Sequence, residues 1–463
     1  MSRTQALTLA ILLAAAPAIA QDSQVLTKQY DDGGVYEGTF KGGLQHGTGT
    51  YRLPNGYEYT GAWVDGEILG KGVARFANGS VYEGDFAKGR PHGVGKIVFA
   101  DGGTYEGEWK EGQITGRGVS IGADGVRYEG DFVNAVQHGH GTSIFPNGDQ
   151  YEGSWVNGIR DGQGKITFAD GTIYDGGMVN GQRSGTGTLT VPDGLVYTGS
   201  WADNQMSGEG TITYANGDTY VGQISNGRRQ GNGEMAYANG DRYVGNFQDG
   251  QRHGQGTLTA PDGYSYKGSW LNGRQEGEGT LTYTDGSVYQ GAIRNNQSHG
   301  FGKITYADGS IYEGEWVDGV IEGNGKAAYV NGLVYEGEFK AARSHGKGVT
   351  TYPDGYRYEG DFVEGLRHGL GTVTFPDGSV YTGAFVKGQR EGIGELVMPD
   401  GFKYSGEWKA GEIDGMGVAT YANGDVYEGM FKAGKRQGSG TINYAGGETA
   451  TGTWENGTLQ TDG

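Results

Sequence analysis

Residues 36–58 read YEGTFKGGLQHGTGTYRLPNGYE, and this 23-residue pattern sets the architecture of the chain. Over residues 36–40, tyrosine, glycine and a second aromatic residue alternate with polar residues, which predicts a strand with one aromatic face. The alternation returns over residues 47–53 with apolar side chains in the last inward positions. Each copy of the pattern therefore predicts two short strands.

The Tyr-x-Gly motif recurs every 23 residues without insertion or deletion, from Tyr36 to Tyr427. A degenerate last unit keeps the glycine and the tryptophan but has Ala450 in place of the tyrosine. A fixed period of this length indicates a repeat architecture in which each unit packs on its neighbours. The residues that define the repeat include Tyr36, Gly38, Tyr82, Gly84, Tyr312, Gly314, Tyr427 and Gly429.

The connections predict an up-and-down chain path. Residues 41–46 separate the two strands of the first unit, and dipeptides such as Asn78-Gly79 separate one unit from the next. Asn-Gly favours tight hairpin turns, because both central residues take positive φ. Doubled glycines such as Gly47 and Gly49 are expected to make room for aromatic rings. We predict an all-β fold, an elongated single-layer antiparallel β-meander or solenoid of tandem β-hairpin repeats.

The N-terminus predicts export. Arg3, the apolar run over residues 6–16 and the small-residue site ending at Ala20 together resemble a signal peptide, residues 1–20, with cleavage near Ala20. Residues 21–32 then form a lead-in, and residues 33–463 form the array of 19 units, the last one degenerate. This organisation predicts a secreted or periplasmic protein.

The amino-acid composition narrows the range of possible chemistries and binding partners. The chain has no cysteine, which excludes disulfides and thiolate chemistry. Its net charge of −19 makes nucleic acid a poor partner and disfavours an anionic membrane surface, although a membrane surface stays possible. Catalytic and phosphate-binding motifs are absent from the sequence. We therefore expect no enzymatic activity, no cofactor, no metal and no small-molecule substrate.

The combination of Tyr-Glu-Gly-x-Trp, then Gly, then His-Gly-x-Gly on this period resembles the MORN repeat (membrane occupation and recognition nexus). Residues 313–316, EGEW, and 92–95, HGVG, match that pattern as they stand. The resemblance implies antiparallel hairpin arrays that form elongated, often curved sheets, used for protein assembly and for contact with lipid head groups. Some units depart from the pattern, since Ala135, Asn204, Asn296 and Ala342 replace the turn glycine.

Three residue types fall into columns of the repeat. Seven of the eight histidines share one column of the repeat immediately before a glycine, as His46 and His92 do, and we interpret them as structural residues that bond to the backbone beside a turn. The tryptophans are the candidate binding face: Trp63, Trp109, Trp155, Trp201, Trp270, Trp316, Trp408 and Trp454. One arginine column is a candidate basic edge for phosphates or acidic partners: Arg160, Arg183, Arg229, Arg252, Arg367, Arg390 and Arg436.

These patterns predict a non-enzymatic scaffold for protein–protein or envelope interactions, because partly exposed aromatic rows are typical of interfaces. A glycan or cell-wall binding module is one alternative, since an aromatic row at fixed spacing suits a sugar polymer. Binding of phospholipid head groups at a membrane is the other. The sequence leaves the partner, a protein or an envelope component, unidentified.

Overall fold

The structure, a computed structural model, describes residues 24–460, and every regular element in that range is a β-strand. The predicted signal peptide lies outside the described residues. The chain divides into two compact units, which meet in sequence at Met206 and Ser207.

The strands of the first unit alternate between seven and nine residues after a short first strand. They are β1 Leu26–Gln29, β2 Val35–Lys41, β3 Leu44–Arg52, β4 Glu58–Val64, β5 Glu67–Arg75, β6 Val81–Ala87, β7 Arg90–Val98, β8 Thr104–Lys110, β9 Gln113–Ile121, β10 Arg127–Val133, β11 Val136–Ile144, β12 Gln150–Val156, β13 Ile159–Thr167, β14 Ile173–Val179, β15 Gln182–Thr190 and β16 Val196–Ala202.

Strand β17, Gln205–Thr213, contains the boundary, and the second unit continues with the same alternation. Its strands are β18 Thr219–Ser225, β19 Arg228–Ala236, β20 Arg242–Gln248, β21 Gln251–Thr259, β22 Ser265–Leu271, β23 Arg274–Thr282, β24 Val288–Arg294, β25 Gln297–Thr305, β26 Ile311–Val317, β27 Val320–Ala328, β28 Val334–Lys340, β29 Arg343–Thr351, β30 Arg357–Val363, β31 Leu366–Thr374, β32 Val380–Val386, β33 Gln389–Val397, β34 Lys403–Lys409, β35 Glu412–Thr420, β36 Val426–Lys432, β37 Lys435–Asn443, β38 Thr449–Glu455 and β39 Thr458–Leu459.

Within each unit, the strands pair antiparallel with their neighbours in chain order. In the first unit, for example, β2 lies between β1 and β3, and in the second β33 lies between β32 and β34. Hairpin follows hairpin in chain order, so the predicted all-β antiparallel meander is confirmed.

The turns differ from the prediction. Strand β2 ends at Lys41 and β3 begins at Leu44, so the tight two-residue turn is Gly42-Gly43, with φ of 58° and 83°. Successive 23-residue repeats are joined by a longer connection. In the first case it covers residues 53–57, of which Gly56 alone has positive φ.

Hydrogen bonds explain why Asn-Gly occurs in that longer connection. The Gly56 N–H donates to the Leu53 carbonyl (3.1 Å), and the Leu53 N–H donates to the Tyr57 carbonyl (2.8 Å). The Asn55 side chain accepts the Tyr57 N–H (3.0 Å), as asparagine often does in a turn. The asparagine thus acts as an acceptor, and only its glycine needs the left-handed conformation.

The core of each unit is a row of tyrosine rings that lie over glycines. Tyr36 is 0% exposed, and its hydroxyl donates to the Thr39 carbonyl (3.0 Å) at the bulge that follows Gly38. A Cβ on Gly38 would lie 2.5 Å from the Cα of Gly49 and from the Tyr36 hydroxyl. A Cβ on Gly49 would meet the Tyr36 ring, so the expectation that this glycine makes room for an aromatic ring is confirmed. A Cβ on Gly47 would meet the Thr39 side chain and no ring, so the same expectation is wrong at Gly47, which instead has φ 81°.

Many of the tyrosine rings also join neighbouring repeats. The Tyr82 ring meets Phe86 of its own strand and Trp109 of the next repeat edge to face, with both centroid distances 5.0 Å. Such pairs stabilise beyond the area that they bury, by about 0.5–1.5 kcal/mol each. A single layer of strands thus acquires a packed interior on one face, called here the aromatic face.

Candidate functional site: the aromatic face

The tryptophan column lies inside the aromatic face. All eight indole rings are between 3% and 7% exposed, and each Nε1–H donates to a strand glycine carbonyl fourteen residues earlier, as Trp63 does to Gly49 at 3.2 Å. The other seven repeat this bond: Trp109, Trp155, Trp201, Trp270, Trp316, Trp408 and Trp454. The hypothesis that these rings form an open binding face is wrong, because neighbouring rings and the sheet already cover them.

The arginine column lies on the same face instead of forming a free basic edge. The Arg436 guanidinium lies 4.0 Å from the Trp454 ring centroid and donates to the Gly457 carbonyl (2.8 Å). Arg390 makes the equivalent contacts with the Trp408 ring and the Gly411 carbonyl. Burial lowers the pKa of Arg390 and of Arg183. All seven side chains are half-buried and lie over aromatic rings: Arg160, Arg183, Arg229, Arg252, Arg367, Arg390 and Arg436.

These contacts correct the expectation of a phosphate-binding edge. An arginine stacked on a ring gains cation–π energy, and its apolar stem covers the aromatic face. The N–H groups of the guanidinium donate to backbone carbonyls of the turns. The column therefore stabilises the junction between one hairpin and the next.

Three members of the histidine column, His46, His138 and His299, accept hydrogen bonds at the tight turns. The Nδ1 of His46 accepts the N–H of Asp65, the first residue of the next two-residue turn (3.3 Å), and His299 does the same for Asp318 (3.3 Å). Glu391 caps the equivalent N–H of Ala410 (2.9 Å). The interpretation of these histidines as residues that bond to the backbone is confirmed for His46 and His299. Within residues 24–460, no three potential metal ligands come together.

The turns that lack glycine keep the same backbone. Ala342 has φ 60°, and Ala135, Asn204 and Asn296 have φ between 64° and 67°. Alanine rarely adopts this region because its Cβ crowds the following carbonyl. The two alanine positions are consequently strained, whereas asparagine tolerates this region, and all four hairpins retain their form.

Burial also changes the acidity of the repeat tyrosines. It raises the pKa of Tyr151 and of Tyr312 to about 12, because the phenolate would lose its hydration between packed rings. Tyr36, Tyr82 and Tyr427 shift in the same direction for the same reason. Their glycine partners Gly38, Gly84, Gly314 and Gly429 lie under these rings, where a Cβ would meet the tyrosine hydroxyl.

The accessible part of the aromatic face lies near the longer connections. In the second unit, a groove is lined by Tyr329, Leu333, Tyr352, Tyr356 and Arg367, and we call it the tyrosine groove. Tyr329 is 46% exposed and Tyr352 is 40% exposed. The sequence analysis missed these residues, although an aromatic residue commonly precedes the Asn-Gly or Asp-Gly signal.

Arg367 fixes the floor of the tyrosine groove. It donates to the Tyr356 hydroxyl and to the Gly388 carbonyl (2.9 Å). The Tyr356 ring in turn meets Tyr352 and Phe375 edge to face, at centroid distances of 5.3 and 5.7 Å. The groove is therefore rigid on one side and open on the other, with tyrosine hydroxyls for hydrogen bonding and rings for apolar contact.

The first unit has a less polar counterpart. Phe76, Pro91, Ile97, Phe99 and Ile114 line a groove on its aromatic face. Phe99 is 36% exposed.

The fold defines a class of protein, a scaffold built from tandem β-hairpin repeats. The family model for the MORN repeat matches eighteen consecutive segments. The chain therefore belongs to the MORN-repeat family, whose members are in general non-enzymatic scaffolds for protein or membrane interactions. The matched residues are 36–56, 59–81, 82–104, 105–127, 128–150, 151–173, 174–196, 197–219, 220–242, 243–263, 266–288, 289–311, 312–334, 335–355, 358–380, 381–402, 404–426 and 427–449.

Similarity to individual proteins is limited. Alsin of Rattus norvegicus is 42% identical over 55 residues, which are 11% of this chain and 3% of Alsin. The match thus spans a small part of that relative.

Two solved structures are similar at low TM-scores. The TCP domain of SAS-4 (dCPAP) of Drosophila melanogaster, in complex with a proline-rich motif of Ana2 (dSTIL), has 14% identity and a TM-score of 0.21, over 43% of this chain and 90% of that one. Virginiamycin B lyase from Staphylococcus aureus has 10% identity and a TM-score of 0.11, over 64% of this chain and 97% of that one. At these scores neither structure bears on the function of this chain.

Proposed function

We propose that this chain is a secreted, non-enzymatic scaffold whose tyrosine groove binds a protein partner in the cell envelope. The observation that carries the proposal is the pair of half-exposed rings, Tyr329 and Tyr352, beside a floor fixed by Arg367. Exposed tyrosines on rigid supports are the residues that interfaces use as anchors. Membership of a family of repeat scaffolds supports the same conclusion.

The N-terminal sequence supports the proposed location, since a chain cleaved near Ala20 would act outside the cytoplasm. No helix in the described part of the chain is long and apolar enough to cross a membrane. Cell fractionation with sequencing of the N-terminus tests the location. A chain that begins at Gln21 in the periplasm or medium is expected, and an unprocessed cytoplasmic chain would contradict export.

The groove is tested by affinity capture from the cell envelope with the mature chain and two variants. The double variant Tyr329→Ser/Tyr352→Ser removes the exposed rings. Val330→Ser changes a neighbouring apolar side chain that is 72% exposed, and it is the matched control. We expect one set of envelope proteins to be retained by the mature chain and by the control, and lost by the double variant. Equal retention by all three would refute the groove as the binding surface.

A glycan-binding function is the second candidate. Tyr306, Tyr329 and Tyr352 occupy the same column of successive repeats and are 37%, 46% and 40% exposed. Rings at one repeat spacing offer a regular stacking surface for a sugar polymer. Co-sedimentation with peptidoglycan that depends on these tyrosines would favour this function over protein binding.

Contact with lipid head groups is suggested by the family and disfavoured by the net charge of −19. Flotation with vesicles, with and without anionic lipid, separates it from the other two functions. Absence of flotation in both cases would exclude it.

A further inference from the structure

Six arginines on the aromatic face make one recurring set of contacts. Each guanidinium lies near the tyrosine nine residues earlier and the aromatic ring eighteen residues later, and it donates to the turn carbonyl 21 residues later. For Arg367, these partners are the Tyr358 ring (5.7 Å to its centroid), the Phe385 ring (5.5 Å) and the Gly388 carbonyl (2.9 Å). We call this place the guanidinium site of a repeat. The six arginines that occupy it are Arg183, Arg229, Arg252, Arg367, Arg390 and Arg436.

One repeat of the second unit keeps the guanidinium site but has no arginine for it. The column residue there is Ser344, and the equivalent partners are Tyr335, Phe362 and the Gly365 carbonyl. All four residues line the tyrosine groove. Tyr335 is 4% exposed, whereas the other tyrosines of the Tyr-x-Gly motif are at most 2% exposed. Among residues 24–460, no side chain donates a hydrogen bond to the Gly365 carbonyl. The groove therefore contains a guanidinium site that is open to solvent.

The serine also uncovers Tyr329. Arg436 lies 5.8 Å from the ring centroid of Tyr421, fifteen residues earlier, and Tyr421 is half-buried. Tyr329 has the same relation to Ser344 and is 46% exposed. A serine alone does not open the site, since Ser298 occupies the same column and is 3% exposed. The open site is thus a local property of the Ser344 repeat.

The charged groups around this site are mixed in sign. Arg343, Arg367 and Asp354 line the groove, and Lys387 and Glu364 lie in the adjoining tight turns. Their charges nearly cancel, so the rings and the carbonyl select the occupant. The net charge of −19 on the whole chain favours a cation over an anion at longer range.

The neighbouring arginines do not exclude a further guanidinium. Arg390 follows Arg367 by one repeat, and each lies over its own rings. A guanidinium at the Ser344 repeat would precede Arg367 by the same spacing. Arg343 comes directly before the site, and residues 228–229, both arginine, show that the same arrangement occurs beside an occupied site.

The contacts favour a guanidinium over an ammonium group. A planar guanidinium stacks on a ring while its N–H groups donate in its own plane, whereas an ammonium is a compact and strongly hydrated charge. No repeat has a lysine at this column position.

We propose that the tyrosine groove binds an arginine side chain of its protein partner. The guanidinium packs on Tyr335 and Phe362, donates to the Gly365 carbonyl, and so repeats the contacts that the chain makes with its own arginines. This inference rests on the proposed protein-binding function and names the residue by which the partner is anchored.

The probe is the peptide acetyl-GGRGG-amide, and its matched control has citrulline in place of arginine. Citrulline keeps the planar shape and lacks the charge. Saturation-transfer NMR titration measures the binding of both peptides, and of a lysine peptide, to the mature chain. We expect the citrulline and lysine peptides to bind at least about tenfold more weakly than the arginine peptide. Equal binding of arginine and citrulline peptides, or no transfer to the arginine peptide at millimolar concentration, would overturn the proposal.

A variant that fills the site from within tests its position. Ser344→Arg supplies the arginine that six other repeats have, and it should abolish binding of the arginine peptide. Gln297→Arg adds the same charge at an exposed position where other repeats have Arg274 and Arg343, and it should bind like the unaltered chain. Hydrogen exchange in β29 to β31 confirms that Ser344→Arg is folded. If it is not, Ser344→Gln fills the site with the residue found at Gln275 and should also block binding. Undiminished binding to the folded variant would overturn the proposal.

Envelope capture separates this inference from the proposed function. A partner that is lost with Tyr329→Ser/Tyr352→Ser and with Ser344→Arg supports both. A partner that is lost with the tyrosine variant but retained by Ser344→Arg would refute the arginine anchor and leave the groove as the binding surface. Equal retention by all variants would refute the groove itself, even where the arginine peptide binds.

Discussion

Alanine in place of Gly394 tests whether strand glycines exist to receive the tyrosine rings. A Cβ at this position would lie 2.5 Å from the Tyr381 hydroxyl and from a ring carbon, and Tyr381 is 0% exposed. The ring has no room to withdraw, because Phe385 and Trp408 pack against it at 5.3 and 5.0 Å. Overpacking of a rigid core costs about 1–3 kcal/mol, and we expect a loss near the upper end, about 3 kcal/mol.

Two controls separate the ring clash from other effects of the substitution. A Cβ on Gly388 would meet no atom within 4 Å, but Gly388 has φ 88°. Gly388→Ala therefore reports backbone strain alone, with an expected loss of about 1–2 kcal/mol in the free energy of unfolding. Gly446→Ala meets no atom within 4 Å and lacks positive φ. It should be neutral, or stabilising by about 0.4–1 kcal/mol through the unfolded state.

The assay must resolve single hairpins, since a long repeat array need not unfold in one step. Hydrogen exchange followed by mass spectrometry of peptides covering β32 and β33 gives the local opening free energy, and urea unfolding followed by circular dichroism gives the global effect. Local protection should fall most in Gly394→Ala. If Gly394→Ala is as mild as Gly446→Ala, the ring-over-glycine account of the core is wrong.

Three further outcomes are expected. Burial raises the pKa of Tyr151 to about 12, while an unfolded tyrosine ionises near 10. The free energy of unfolding should therefore be unchanged below pH ~10 and should fall between pH ~10 and pH ~12 by about 1.4 kcal/mol per pH unit per buried tyrosine. Urea unfolding between these pH values, with phenolate absorbance, checks this, and a flat profile would contradict it. Ala342→Gly should raise stability by about 1 kcal/mol by relieving strain at φ 60°, measured as slower exchange in the β28–β29 hairpin, and no change would mean that the turn is unstrained. Trp408→Phe should lower the free energy of unfolding by about 1–3 kcal/mol, because the Gly394 carbonyl loses its donor (3.2 Å). Phe385→Leu removes no hydrogen bond and is the control for the loss of ring contact. Denaturant unfolding of both variants makes the comparison.

The architecture could be predicted because alternation and period are local properties of the sequence. Tyr36, Gly38 and Phe40 fall on one side of a strand in any arrangement of the sheet. The turn assignment failed because Gly-rich dipeptides serve both a two-residue turn with two positive φ values and a longer turn that ends in one left-handed glycine. Only the strand ends, Lys41 and Leu44, distinguish the two.

The candidate site was harder to predict because burial depends on neighbouring repeats. A tryptophan in an isolated hairpin would be open to solvent, but Trp109 is covered by the Tyr82 and Tyr105 rings. The arginine column looked like a solvent-exposed edge, since the sequence does not show that Arg436 has a ring and a turn carbonyl within reach. Conversely, Tyr352 shares its residue type with the core tyrosines, and only its place beside a longer connection leaves it accessible.

The hydrogen bonds that join successive hairpins span short distances along the chain. The tryptophan donors reach back 14 residues, whereas the turn caps reach forward 19 residues and the arginine donors 21, each less than one 23-residue period. Removal of any internal block of 23 residues, or of a multiple of 23, would therefore leave the flanking hairpins with chemically equivalent partners, whereas removal of any other number would put strands out of phase. The length of such a chain can change by whole hairpins through duplication or loss. Each such change would add or remove surface without requiring a compensating substitution elsewhere.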